Sequence, residues 1–168
     1  MPATYEKIAT NTLSSTQATV TFSSISGSYT DLILVINPIA SGVADSYPYI
    51  RFNSDSGSNY SRLFIRGTGT TASSDKVANE TLAYLIGGNV VQTDSTFNGI
   101  LHINNYSNTT TYKTYLSRTN VATGTNASVE LLVGMWRNTS AINSIAISLI
   151  ANSFVSGSTF TLYGILKA

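Results

Sequence analysis

Apolar residues recur at every second position through most of this chain, the pattern of strands with one face in a core. Val20 and Phe22 alternate with Thr19 and Thr21, and Leu32, Leu34 and Ile36 interleave with Ile33 and Val35 in a run apolar on both faces. Ile50 and Phe52 alternate with Tyr49 and Arg51. Leu63 and Ile65 alternate with Arg62, Phe64 and Arg66. Further sets are Leu82, Tyr84 and Ile86; Phe97, Leu101 and Ile103 with Gly99; Tyr112, Thr114 and Leu116. The last three are Val129, Leu131, Val133 and Met135; Ile145, Ile147 and Leu149; and Phe160, Leu162 and Leu166. Clusters of Gly, Ser, Asn and Asp separate these runs, at 26–28, 41–42, 54–59, 67–74, 87–89, 124–126 and 156–158, and such residues favour turns. About ten strands joined by short polar turns predict an all-β fold, an antiparallel β-sandwich of jelly-roll-like type. The stretch 74–85 could hold one short helix or turn, although the alternation at Leu82, Tyr84 and Ile86 argues for strand. No internal repeat, linker or charge block divides the chain, so residues 1–168 read as a single domain. Polar residues 1–7 read as a candidate N-terminal arm reaching a neighbour.

Composition narrows the function classes. Only 10% of residues are charged and the formal net charge is +1. A nucleic-acid ligand calls for a basic stripe and a membrane surface for a cationic amphipathic helix, and the chain carries neither. No apolar run approaches the ~18 residues of a spanning helix. The N-terminus lacks the basic and apolar regions of a signal peptide. Surface polarity comes from neutral groups: Ser, Thr and Asn number 24, 23 and 15. Cysteine is absent, which excludes disulfides, thiol nucleophiles and cysteine-based metal sites.

Catalytic candidates are sparse. The single histidine, His102, shares its strand face with Ile100 and Asn104. No spacing brings a nucleophile and an orienting acid to it, so it reads as structural. The eight carboxylates form no focused pair of the kind a glycosidase needs. Segment 51–61 is the most distinctive: Arg51, Asn53, Asp55, Gly57, Asn59 and Tyr60. Asn53, Asp55 and Asn59 alternate as oxygen donors around Gly57, faintly like a calcium loop, but an EF-hand's position-12 Glu is replaced by Phe64. The segment reads first as a polar turn held by its own side chains. Ten tyrosines offer planar faces for a sugar ring or a protein partner. Tyr47 and Tyr49 flank Pro48 at a strand start, and Tyr106, Tyr112 and Tyr115 bracket the loop 107–111. Trp136 shares a face with Leu132 and reads as core.

Three segments in order, 25–34, 51–61 and 142–165, resemble small β-rich virion structural proteins of tailed bacteriophages, of the head decoration (cement) or tail-fibre type. The resemblance rests on Arg51-Phe52-Asn53, Asp55, Gly57 and Asn59-Tyr60-Ser61, and on Gly157-Ser158, Phe160, Leu162-Tyr163-Gly164-Ile165. It implies a non-enzymatic virion component assembled in the host cytoplasm, with a jelly-roll-like fold and a homotrimeric state. It carries over no catalytic residue, cofactor or metal. The implied partners are a second and third copy of the chain and other virion proteins, first the major capsid protein, with no nucleic acid and no membrane. The absence of heptads and repeats favours capsid decoration over a fibre shaft. A tail-fibre or receptor-binding module contacting host-surface glycan is the alternative.

Overall fold

The computed structural model describes residues 4–42, 46–87, 96–122 and 127–166, and among these there is no helix. Twelve strands follow in order: β1 (Tyr5–Thr12), β2 (Thr19–Phe22), β3 (Asp31–Asn37), β4 (Pro48–Phe52), β5 (Tyr60–Gly67), β6 (Ala72–Glu80), β7 (Ala83–Tyr84), β8 (Thr96–Asn104), β9 (Lys113–Ala122), β10 (Ala127–Trp136), β11 (Ile145–Leu149) and β12 (Thr159–Ile165). They form two sheets, one of eight strands in the order β1-β12-β3-β8-β9-β10-β5-β6 and one of four in the order β2-β11-β4-β7. Every pairing is antiparallel. The fold is therefore the antiparallel β-sandwich that the alternation predicts, with an unequal division of strands.

The core lies between the sheets. Leu32, Leu34, Leu101, Ile103 and Leu162 of the large sheet are buried against it, as are Phe22, Ile50, Phe52, Ile145 and Ile147 of the small one. Each is flanked in sequence by residues turned the other way, as the pleat requires. At the β9–β10–β5 side, segment 83–87 closes the gap. Leu85 carbonyl accepts from Ser117 Oγ at 2.7 Å, Ile86 carbonyl from Arg62 at 3.1 Å, and the buried Glu130 carboxylate accepts from Gly87 N–H at 2.5 Å. Arg66 Nε lies 3.5 Å from the same carboxylate, so this buried acid has a cation beside it.

Several local expectations are corrected. The region 74–85 holds no helix; it completes β6 and forms β7. β6 escapes the periodicity test because, as an edge strand, it buries almost nothing on either side. The turn before it shrinks from 67–74 to a tight reversal at 68–71, closed by Thr68 N–H to Thr71 carbonyl at 3.0 Å with Gly69 at φ 86°. The candidate arm is no free tail from Tyr5 onward, because residues 5–7 pair with β12; residues 1–3 lie outside the described residues.

The largest departure concerns β5 and β10. Leu63, Ile65, Val129, Leu131 and Val133 are exposed, although they are the more apolar alternate set. The inward positions of β10 are instead Ser128, Glu130, Leu132, Gly134 and Trp136. Aromatic packing is the cause. Gly134 pairs with Tyr115 of β9, and a Cβ on Gly134 would sit 2.0–2.4 Å from that tyrosine's ring atoms. The ring occupies the glycine's empty side, which locks both strands with these faces inward. Gly134→Ala is expected to destabilise the fold by about 2–3 kcal/mol, since Tyr115 is boxed in. A drop in Tm of roughly 5–10 °C in thermal circular dichroism checks it.

Candidate functional site

The segment singled out by its sequence, 51–61, is a brace between the two sheets. Asn53 and Ser54 both take left-handed conformations, φ 52° and 59°, and Asp55 N–H closes the turn on Phe52 carbonyl at 2.9 Å. Asn tolerates that region best among residues with a side chain. Asn53 then reaches outward: its amide donates to Ala141 carbonyl at 2.7 Å, and its Oδ1 accepts from Asn143 N–H at 2.9 Å and Ser144 N–H at 3.1 Å. Asp55 reaches inward. Its Oδ1 accepts from Gly57 N–H at 2.8 Å, and its Oδ2 from Asn59 Nδ2 at 2.9 Å and Trp136 Nε1 at 2.6 Å. Tyr60 O–H donates to Asp55 carbonyl at 3.1 Å and accepts from Phe52 N–H at 3.2 Å. Behind this network Phe52, Tyr60, Tyr115 and Trp136 form one aromatic cluster, with Tyr60 and Trp136 stacked at 6.5 Å between centroids.

Burial by itself raises Asp55's carboxyl, but hydrogen bonds from Trp136, Asn59, Gly57 and Asn138 outweigh it and hold the group below its ordinary value. The Asn53 and Asp55 oxygens that suggested calcium ligands thus already face N–H donors, which occupy lone pairs a cation needs. Among the described residues no three of His, Cys, Asp and Glu converge on a point. Arg51 lies over the Tyr49 ring at 5.7 Å.

The other singled-out residues scatter. Tyr106 and Tyr115 are fully buried, their hydroxyls bonded to Ser26 and Tyr84 carbonyls, so neither ring is open to stack on a ligand. Burial also pushes both phenols above the ordinary tyrosine value. Tyr47 and Tyr49 are half-buried and Tyr112 is exposed. The five tyrosines form no common surface. His102 Nε2 lies 3.0 Å from Asp31 Oδ2, with no nucleophile among the groups bonded to it. Lys113 is a buried cation that the pattern did not flag. Its Nζ donates to Thr111 and Thr139 carbonyls at 2.8 and 3.0 Å, and burial lowers its pKa.

What remains is the outer face of the large sheet, where two adjoining rows of outward residues cross the strands. One runs Leu63, Val133, Leu116, His102, Ile33; the other runs Ile65, Leu131, Arg118, Ile100, Val35. Exposure reaches 63% at Val129, 53% at Ile65 and 48% at Leu63. These side chains together leave on the order of 500 Å² of apolar surface open, at the large end for a monomeric protein. The surface is concave: a groove of about 930 Å³ is lined by Ile65, Ile100, Arg118, Val129 and Leu131, with Asn98 and Asn120 at its polar side. A second hollow of about 420 Å³ continues from Ile100 and Arg118 toward Ile33 and Tyr5.

Comparison with protein-family models, curated proteins and solved structures finds no match to this chain.

The outer face was hidden from sequence reasoning because its residues were counted toward the core. The signal that could have revealed it is β10 itself. Trp136 and Gly134 share one alternate set with Leu132, and a tryptophan demands burial more strongly than a valine does.

Asp55 generates a prediction with a sign. Its folded carboxyl lies below the unfolded value, so its contribution is complete above the unfolded pKa and is lost as pH falls through the folded one. Asp55→Asn is therefore expected to lower stability by about 1.5–3 kcal/mol at pH 7, and by progressively less as pH falls through the carboxylate range. Urea unfolding of both proteins at a series of pH values checks this. Adding millimolar calcium is expected to leave the native Tm unchanged, since a site on the folded state alone would raise it.

Proposed function

We propose that this chain is a non-enzymatic structural protein of a tailed-phage virion, a decoration or cement subunit that sits on the capsid surface. The observation that carries the reading is the concave apolar outer face of the eight-stranded sheet. Such a face is costly in water and is retained where another macromolecule covers it. The titratable groups support the same reading. Asp55, Glu80, Glu130 and Asp31 are each held by structural partners, in ion pairs or hydrogen bonds that knit strands and turns together. Residues 51–61 and 142–165, which carry the resemblance to phage structural proteins, meet in the Asn53 brace.

A second reading, a receptor-binding module for host-surface glycan, draws on one feature. Asn98, Asn120 and Arg118 set polar donors beside the apolar floor of the groove, a mixture that suits sugars. The proposed trimer is a separate element of the reading. It is expected to give a light-scattering mass about three times the chain's 17.9 kDa at micromolar concentration. A mass near one chain removes it.

Gold-labelled antibody against the chain, applied to intact particles of the virus encoding it and viewed by electron microscopy, tests the main proposal. Label spread over the head is the expected outcome. Label at the tail tip transfers the function to adhesion, and particles without label overturn the virion assignment.

A further inference from the structure

We infer that the outer face of the large sheet docks a different protein, one whose matching surface is apolar at its centre and carries carboxylates, rather than a second copy of this chain. The inference rests on the virion reading above and adds the chemistry of the partner. Its basis is the charge that accompanies the apolar rows. Strand register puts Arg118 in the middle of the face, flanked by Leu131 on one side and Ile100 on the other. Lys76 stands opposite Leu63 at the β6 edge, and Lys7 opposite Tyr163 at the β1 edge. One carboxylate among the described residues points this way, Asp31, and it is already engaged by His102 Nε2 at 3.0 Å and Asn105 N–H at 2.6 Å. Arg118 makes no salt bridge with a described residue. The described part of the face is therefore apolar with a cation at its centre and one at each edge, and the one acid among its described residues is spoken for.

A second copy laid face to face would bring the same cations and, among the described residues, no free acid. The central guanidinium would then be buried unpaired, which is strongly unfavourable. A heterologous surface with a carboxylate opposite Arg118 removes that penalty. Guanidinium also suits the task, because its planar fork binds carboxylate through two parallel hydrogen bonds. The stem of Arg118 can lie on the neighbouring aliphatic side chains while its head reaches across. An anionic bilayer is the weaker fit: lipid surfaces are held by clusters of basic residues, and here the three full cations are separated by strands of the sheet.

The test is co-sedimentation of the purified chain with particles that lack it, produced by deleting its gene from the virus that encodes it. Native chain is expected to bind, and more weakly as salt is raised. Arg118→Glu is expected to lose at least about tenfold in affinity, with Arg118→Lys much less affected. Arg118 is exposed, so thermal melts of both variants should match the native protein and separate lost binding from misfolding. Leu131→Asp, at the centre of the face, is expected to lose binding as well. If native chain and Arg118→Glu bind alike, the docking face is wrong while the virion reading stands. If native chain does not bind at all, both fall. The partner assignment is likewise overturned if sedimentation shows self-association that Leu131→Asp abolishes, or if native chain floats with phosphatidylcholine–phosphatidylserine vesicles and Arg118→Glu does not.

Discussion

The packing of Tyr115 into the space left by Gly134 decides which way the middle of this sandwich faces. Strand periodicity is two, so a strand has only two choices, and one residue of slip exchanges its faces. On β10 the aliphatic set, Val129, Leu131 and Val133, loses that choice to a set containing a serine, a glutamate and a glycine. Hydrophobic count alone gives the opposite result. The difference is made up by Trp136 and by the ring that Gly134 admits, because aromatic side chains remove far more area from water than valines do. Register then propagates. β5 pairs with β10 such that Phe64 and Tyr60 turn inward with Trp136, which forces Leu63 and Ile65 outward beside Leu131 and Val133. The core and the exposed apolar face are therefore consequences of the same choice.

Asp55 extends the constraint to the small sheet. Its carboxylate accepts from Trp136 of the large sheet while its turn leaves β4 of the small one, and Tyr60 closes the loop on Phe52. Asn53 ties the same turn to the chain just before β11. A charged group is placed here in contact with a tryptophan because its oxygens are met by N–H donors, so that its negative charge strengthens each bond. The motif that looks most like a ligand site in sequence is thus a structural joint, and its Asn53, Asp55 and Tyr60 side chains are engaged within the protein.

The fold class was legible because most strands alternate with period two, cleanly between a buried and a polar set in β2. Strand β6 was not, because an edge strand of Ala, Ser, Asp, Lys and Asn carries no burial signal, and its charges serve instead to discourage edge pairing. Strand β1 uses another device for the same end, a bulge between Lys7 and Ala9. That Asn53 and Asp55 hold a turn could be read from their types, but their reach to 141–144 and to Trp136, which makes the turn a brace, could not. The role of the tyrosines could not, since a tyrosine near a loop is equally consistent with an open ring or a buried one, and Tyr106 and Tyr115 were settled by what stands opposite them. The outer face stayed hidden for the reason already given: its residues are the ones a period-two reading assigns to the core.

Edges guarded by charge and a bulge, beside a broad face left apolar, say how this molecule meets others. Strand addition to an open edge is sequence-tolerant and hard to limit, and the two edges of the large sheet carry features that oppose it. Association through a face is governed by side chains, and can therefore be made specific by one well-placed charge. Arg118 provides it. An uncharged aliphatic patch of this size would invite any other apolar surface, including its own copy. A cation at the centre makes every such encounter unfavourable unless the partner brings a carboxylate. The same residue that weakens the face as a general adhesive makes it selective, while the uncharged Ser-, Thr- and Asn-rich polarity over the rest of the chain offers charged competitors little to hold.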